Sequence, residues 1–281
     1  MFPIPFKRSK MKKNNEEKTL INQSQGSRAF LLAGLFIMSI IAVQLQSNVL
    51  ITVSVFFGAS LYASGSGENK SFVWITVLFN AGFSLYLFVS TEIVSSIEPR
   101  EWELFLKRAS LLFIALPLWL AMGKPSPGIL RTVDWQAPFK LPFHETTLKR
   151  FLWIALSINM VVFLPFIVQQ GWPYAKSVWL LALVFSLVNA ALEEWIWRGL
   201  LLSRFSVLLG HRPALLVTSL GFGLQHYSLG FSWFICLAFA VGGLFYGLVT
   251  VQSRSLLPAV LWHFIINMLM VFAGLLELKS G

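Results

Sequence analysis

The fold class the sequence predicts is all-α, a polytopic transmembrane helical bundle, and three observations predict it. Of 281 residues, 56% are hydrophobic and only 12% are charged, against about 25% charged in an ordinary soluble domain. Apolar runs of roughly 20 residues, the length a helix needs to cross a bilayer core, recur along the chain. Most of these runs lack the polar face that a helix of a soluble all-α protein requires.

The elements follow in order. Residues 1–28 form a basic tail, with Lys7, Arg8, Lys10, Lys12, Lys13, Lys18 and Arg28 against Glu16 and Glu17. Beside a membrane span such a tail reads as cytoplasmic and lipid-facing, not as a nucleic-acid arm. The tail and the first apolar segment are both too long for a cleavable signal peptide. Apolar segments then fall near 29–46, 48–64, 72–91, 109–122, 151–169, 177–203, 213–229, 231–251 and 256–276. Eight or nine membrane segments are expected, depending on whether any is re-entrant. Residues 29–150 make up the N-terminal membrane helices with a loop at 123–150, and residues 151–281 a membrane-embedded core.

Charge sets the expected orientation of this integral, multi-pass protein. A cytoplasmic N-terminus puts the 123–150 loop inside after four crossings, together with Arg204, Arg212 and Arg254, as the positive-inside rule requires. The 92–108 segment then lies outside. Its Arg100, Lys107 and Arg108 run against the rule, offset by Glu92, Glu98, Glu101 and Glu103, and the segment reads as a solvated or interfacial helix. Trp172 and Tyr174 suit the outer interface. The lone cysteine, Cys236, excludes an intrachain disulfide and argues against a zinc–thiolate centre. The partners this composition implies are membrane lipid and a peptide or membrane-protein substrate, with no nucleic acid. No oligomeric state follows from it.

Ionisable residues inside spans are costly and point to function. Here they gather in the last third, in EEWIWR (193–198), FGLQH (222–226) and HFIIN (263–267). Glu194 and Arg198, four apart, share a helix face and can pair. Glu193 sits about 100° round from Glu194 and is aimed separately. Phe222 and His226 have the same spacing, as do His263 and Asn267, which can present two polar groups to one point. With the cytoplasmic surface near Arg204 and Arg254, Glu193 lies about 16 Å deep, His226 somewhat less than 20 Å and His263 about 13 Å. The three can meet in one cavity.

Such a cavity suits amide hydrolysis. A buried carboxylate can activate water, a histidine can share the proton or orient the water, and a histidine and an asparagine can donate to a developing oxyanion. No serine or cysteine nucleophile has a clear motif, and HExxH is absent. Glutamate with two histidines is still a possible open metal site, so residue type leaves a divalent metal such as zinc an open question, with Glu193, His226 and His263 as its ligands.

The three strings together resemble the CPBP family, the CAAX prenyl-protease and bacteriocin-processing (Abi) intramembrane endopeptidases. EEWIWRG matches that family's EExxxR pattern, GFGLQH its FxxxH and HFIIN its HxxxN, in the same order, over roughly residues 176–272. The resemblance implies that Glu193 activates water with the help of His226, and that Glu194 and Arg198 complete the first motif. It implies that His263 and Asn267 stabilise the oxyanion or position the water. Family descriptions include both metal-dependent and metal-free glutamate mechanisms. Two other functions fit the same residues. One is a non-catalytic scaffold or bacteriocin-immunity protein. The other is a proton-coupled transporter, which would need a polar path to the far side that this chain scarcely offers.

Overall fold

The structure is a computed structural model that describes residues 26–98, 100–122, 131–141 and 144–275. Most of the basic tail and part of the 123–150 loop lie outside the described residues. Ten α-helices are described: α1 (Gly26–Gln44), α2 (Asn48–Ser64), α3 (Gly67–Phe88), α4 (Arg100–Ala109), α5 (Leu112–Met122), α6 (Leu148–Glu194), α7 (Ser203–Leu209), α8 (His211–Leu224), α9 (Trp233–Ser253) and α10 (Leu257–Phe272). Side-chain oxygens start several of them. Ser47, Thr147 and Ser232 accept from the backbone N–H three residues on, supplying a partner that the first turn lacks. Pro258 lies in the first turn of α10, where its missing N–H costs nothing.

The helical membrane bundle is as expected, and its long apolar helices are fewer than the eight or nine segments. Among the described residues, five helices have the length and apolarity for a crossing: Gly26–Gln44, Gly67–Ser96, Glu101–Met122, Leu148–Leu209 and Trp233–Ser253. The apolar runs at 48–64 and 256–276 form shorter helices. The run at 213–229 divides into α8 and a 3-10 turn at Gln225–Leu229.

The runs at 151–169 and 177–203 join into one long helical stretch that reverses at Gly171, whose φ of 77° is open to glycine and strained for other residues. Contacts with α10 establish the reversal. Along the first limb, Asn159 meets Trp262 (2.9 Å) and Gln170 lies beside Gly274. Along the second, Tyr174 Oη donates to Val271 O (3.1 Å) and Glu194 meets His263. One limb therefore runs parallel to α10 and the other antiparallel, with α10 packed against both.

Two expectations for polar segments are corrected. The 92–108 segment is not simply solvated: α4 packs on α6, and Arg108 is buried there. An amphipathic helix can turn its cations inward where a polar partner waits, and Asn189 is that partner. The 123–150 loop contains an antiparallel hairpin, β1 (Pro138–Leu141) with β2 (His144–Thr147). Lys140 exchanges two backbone hydrogen bonds with the Gln252 side chain, at 2.7 and 3.0 Å, and these dock the hairpin on the end of α9.

The core is aromatic. Phe36, Phe72, Phe79, Phe205 and Phe222 surround the fully buried Trp197 or one another, with ring centroids 4.5–6.5 Å apart. Lipid gives little drive to press apolar helices together, so close packing has to hold them. The tightest crossing is α8 on α9. A Cβ on Gly223 would stand 2.3 Å from Cys236 O and 2.5 Å from Ala240 N, both backbone atoms. Gly223→Ala is therefore expected to force α8 from α9 and to destabilise the protein by about 1–3 kcal/mol. Thermal unfolding in detergent checks this, and an unchanged midpoint would contradict the close crossing.

Candidate active site

Glu193 and Glu194 end α6. The helix then widens into a π segment, Trp195–Leu202, before α7 resumes the α winding. π-turns are uncommon and recur at functional sites. This one carries Trp197 and Arg198 inward, both buried.

The two glutamates have different partners, as their angular separation predicts. Arg198 Nη1 donates to Glu194 Oε1 (2.8 Å), and Nη2 donates to Gly243 O (2.9 Å). The guanidinium carbon lies 4.3 Å from the Phe222 ring centroid and 5.2 Å from that of Tyr246, where the ring faces favour a cation. His263 Nδ1 also contacts Glu194 Oε1 at 2.8 Å. A carboxylate oxygen accepts, so Nδ1 carries the proton. The same imidazole points Nε2 at Glu193 Oε2, 3.6 Å away, too far for a direct hydrogen bond.

Glu193 accepts from two amides. Asn189 Nδ2 reaches Oε2 and Gln225 Nε2 reaches Oε1, each at 3.1 Å. Chemistry fixes how both amides face. Gln225 Oε1 accepts from the Trp197 indole N–H (3.1 Å), and Asn189 Oδ1 accepts from Arg108 Nη1 (3.2 Å). Indole and guanidinium only donate, and a carboxylate only accepts. Flipping either amide would set donor against donor and acceptor against acceptor. Each carboxylate oxygen keeps a lone pair free beyond these bonds.

His226 is buried, with Nδ1 2.8 Å from Phe222 O, so Nδ1 donates and Nε2 is the accepting nitrogen. Its ring stacks on Phe239 (3.9 Å) and meets Phe222 edge-on (5.0 Å). The Phe222–His226 spacing therefore works through a backbone bond as well as ring packing. Among the described residues, no hydrogen bond joins His226 to Glu193. Asn267 lies one turn beyond His263, buried, and its Nδ2 has no partner among the described residues. The structure thus joins Glu194, Arg198 and His263 in one hydrogen-bonded group, sets Glu193 beside it at 3.6 Å from His263, and buries His226 and Asn267 without hydrogen-bonding them to either. Sequence reading gave His263 and Asn267 the same job. Their surroundings differ, because the His263 Nδ1 proton is committed to Glu194 while the Asn267 amide remains free.

The same geometry bears on the possible metal site. Among the described residues, no three of His, Cys, Asp and Glu converge into a group that could hold a metal. The donors as arranged do not fit a metal, and no step below is routed through one.

Sequence reading missed Asn189, Gln225 and Arg108. Asn189 was findable, since a polar residue four before Glu193 in an apolar run is the same helical signal that singled out Asn267. Gln225 adjoins His226 in the second string. Arg108 gave no local signal, because it stands 81 residues from Asn189.

Residues 175–269 match the Rce1-like family, described as type II CAAX prenyl endopeptidase Rce1-like. This part of the chain is similar to that family. The match agrees with the CPBP resemblance, contains all six candidate residues and belongs to a family of proteases. Residues 1–174, with Arg108, lie outside it. No curated protein and no solved structure matches the chain significantly.

The ion pair gives a direct prediction for the Rce1-like region. Removing one member of a buried pair strands the other charge, at about 3–5 kcal/mol. Arg198→Met is expected to lose at least that much stability by leaving Glu194 and Gly243 O without their donor. Chemical denaturation in detergent measures it, and a loss under about 1 kcal/mol would mean the pair is not buried as described.

Proposed function

We propose that the protein is an intramembrane endopeptidase of the CAAX-protease type that uses water activated by Glu193. The observation carrying this reading is the constraint on the Glu193 carboxylate. Two amides of forced orientation hold it, beside a histidine anchored to a second, separately neutralised glutamate. A purely structural carboxylate would need one good partner, whereas this one is aimed and keeps lone pairs free.

In this reading water binds between Glu193 and the scissile carbonyl. Glu193 takes a proton as the water oxygen bonds to the carbonyl carbon. The oxyanion that forms is met by the Asn267 amide, a buried donor with no other partner. The C–N bond then breaks, and the proton held by Glu193 passes to the leaving amine. His263 Nε2, 3.6 Å from Glu193 Oε2, assists that transfer through a bridging water. His226, its Nδ1 fixed on Phe222 O, offers Nε2 to orient the water. Glu194 and Arg198 hold His263 in the required tautomer.

A largely apolar cavity, separate from the glutamates, supports a substrate with an apolar tail. It has a volume of about 790 Å³, between the first limb of α6 (Leu152, Leu156) and α10 (Leu261, Ile265), with Lys149 and Asp134 on its lining. Trp262 forms part of its wall and meets Tyr246 edge-on, and Tyr246 stacks on His263. CAAX-like tails and peptide precursors are the substrate classes proposed, cut near the cytoplasmic face.

Protein termini compared between cells carrying wild type and Glu193→Gln, at equal membrane expression, test the reading. At least one terminus is expected to disappear with the substitution, because an amide cannot take the proton. Identical termini with an intact cellular phenotype would favour the scaffold or immunity reading instead. For the metal question, cleavage by purified protein is expected to survive removal of divalent cations by a chelator. Loss of cleavage that zinc restores would replace the metal-free route with one in which Glu193, His226 and His263 rearrange as ligands.

A further inference from the structure

We propose that Arg108 is a positioning residue for Glu193 and acts through the Asn189 amide, an inference that rests on the endopeptidase reading above. Arg108 belongs to α4, outside the Rce1-like segment and 85 positions before Glu193 in the sequence. It is nonetheless buried, at 9% exposure.

The buried charges identify its role. Among the described residues, the buried Asp, Glu, Lys and Arg side chains are Glu193, Glu194, Arg198 and Arg108. Arg198 is spent on Glu194 and Gly243 O. Arg108 is the remaining cation, and Glu193 the remaining anion. They do not touch. Asn189 stands between them, taking Arg108 Nη1 on its oxygen at 3.2 Å and giving Nδ2 to Glu193 Oε2 at 3.1 Å. A direct contact would tie Glu193 into a second salt bridge and fill its lone pairs. The interposed amide supplies the cation's orienting influence and leaves the carboxylate able to bind water. The Phe185 ring, 5.4 Å from the guanidinium carbon, completes the seat. On the other carboxylate oxygen, Trp197 and Gln225 repeat the arrangement with a neutral donor.

Without Arg108, Asn189 is free to flip and present its oxygen to Glu193, which repels the carboxylate from its working position. Turnover should fall and substrate binding should not, because Arg108 faces the amide and not the substrate. The probe is a quenched peptide spanning a terminus that depends on Glu193 in cells. Arg108→Met is expected to lower kcat about tenfold, the usual scale for a residue that orients a reacting group from behind, with KM within twofold. Arg108→Lys should recover part of the loss. In an Asn189→Ala background, Arg108→Met should lower kcat no further, since the amide through which it acts is gone.

A merely structural Arg108 would give multiplicative losses in the two backgrounds, and that result overturns the proposal. So does a kcat within twofold of wild type for Arg108→Met. If Arg108→Met fails to accumulate in the membrane, Arg108→Lys in the wild-type and Asn189→Ala backgrounds provides the same comparison. If no terminus depends on Glu193, the endopeptidase reading falls and this inference falls with it. If cleavage depends on Glu193 but not on Arg108, only this inference falls.

Discussion

Placing two adjacent carboxylates inside a low-dielectric bundle is the constraint on which the rest of the structure depends. An unpaired buried charge costs several kcal/mol. The chain meets that cost twice, in different ways. Glu194 receives a cation directly, in a salt bridge with 2% of the Arg198 side chain exposed and none of Glu194. Glu193 receives amides, each held in place from behind by a donor. Direct pairing occupies a carboxylate, whereas amide pairing fixes it and leaves it able to react. The π segment, the close α8–α9 crossing and the aromatic box round Trp197 all serve to bring those partners in.

The arrangement also joins the two halves of the chain. The Rce1-like segment holds both glutamates, the arginine, both histidines and the asparagine. The aromatic box that seats Trp197 comes largely from α1 and α3, through Phe36 and Phe79. The N-terminal helices, which read as generic membrane spans, therefore support the site from outside.

Legibility in the sequence followed the range of the interactions. Helical spacing worked where partners lie within one turn. It paired Glu194 with Arg198, set Glu193 apart and put His263 and Asn267 on one helix. Hydropathy identified the helical membrane class and broke the chain around Gly171, where α6 turns back, but an apolar run does not disclose that α8 ends after fourteen residues. The Arg108–Asn189 bond and the docking of the hairpin on Gln252 join residues 81 and 112 positions apart, and no local pattern encodes them. The burial of Arg108 was misread for the same reason: its charge looked like surface until its distant partner was known.

The reversal at Gly171 has a consequence for how the protein is made. Of the described helices α10 is the last in chain order, and it packs against both limbs of α6 while bringing His263 to Glu194. During synthesis the glutamates enter the membrane some seventy residues before their histidine. Until α10 arrives, Glu194 has its arginine but not its imidazole, and Asn267 is not yet present. Order of synthesis thus leaves the nascent chain with its buried carboxylates but without His263 and Asn267 until its last described helix is made.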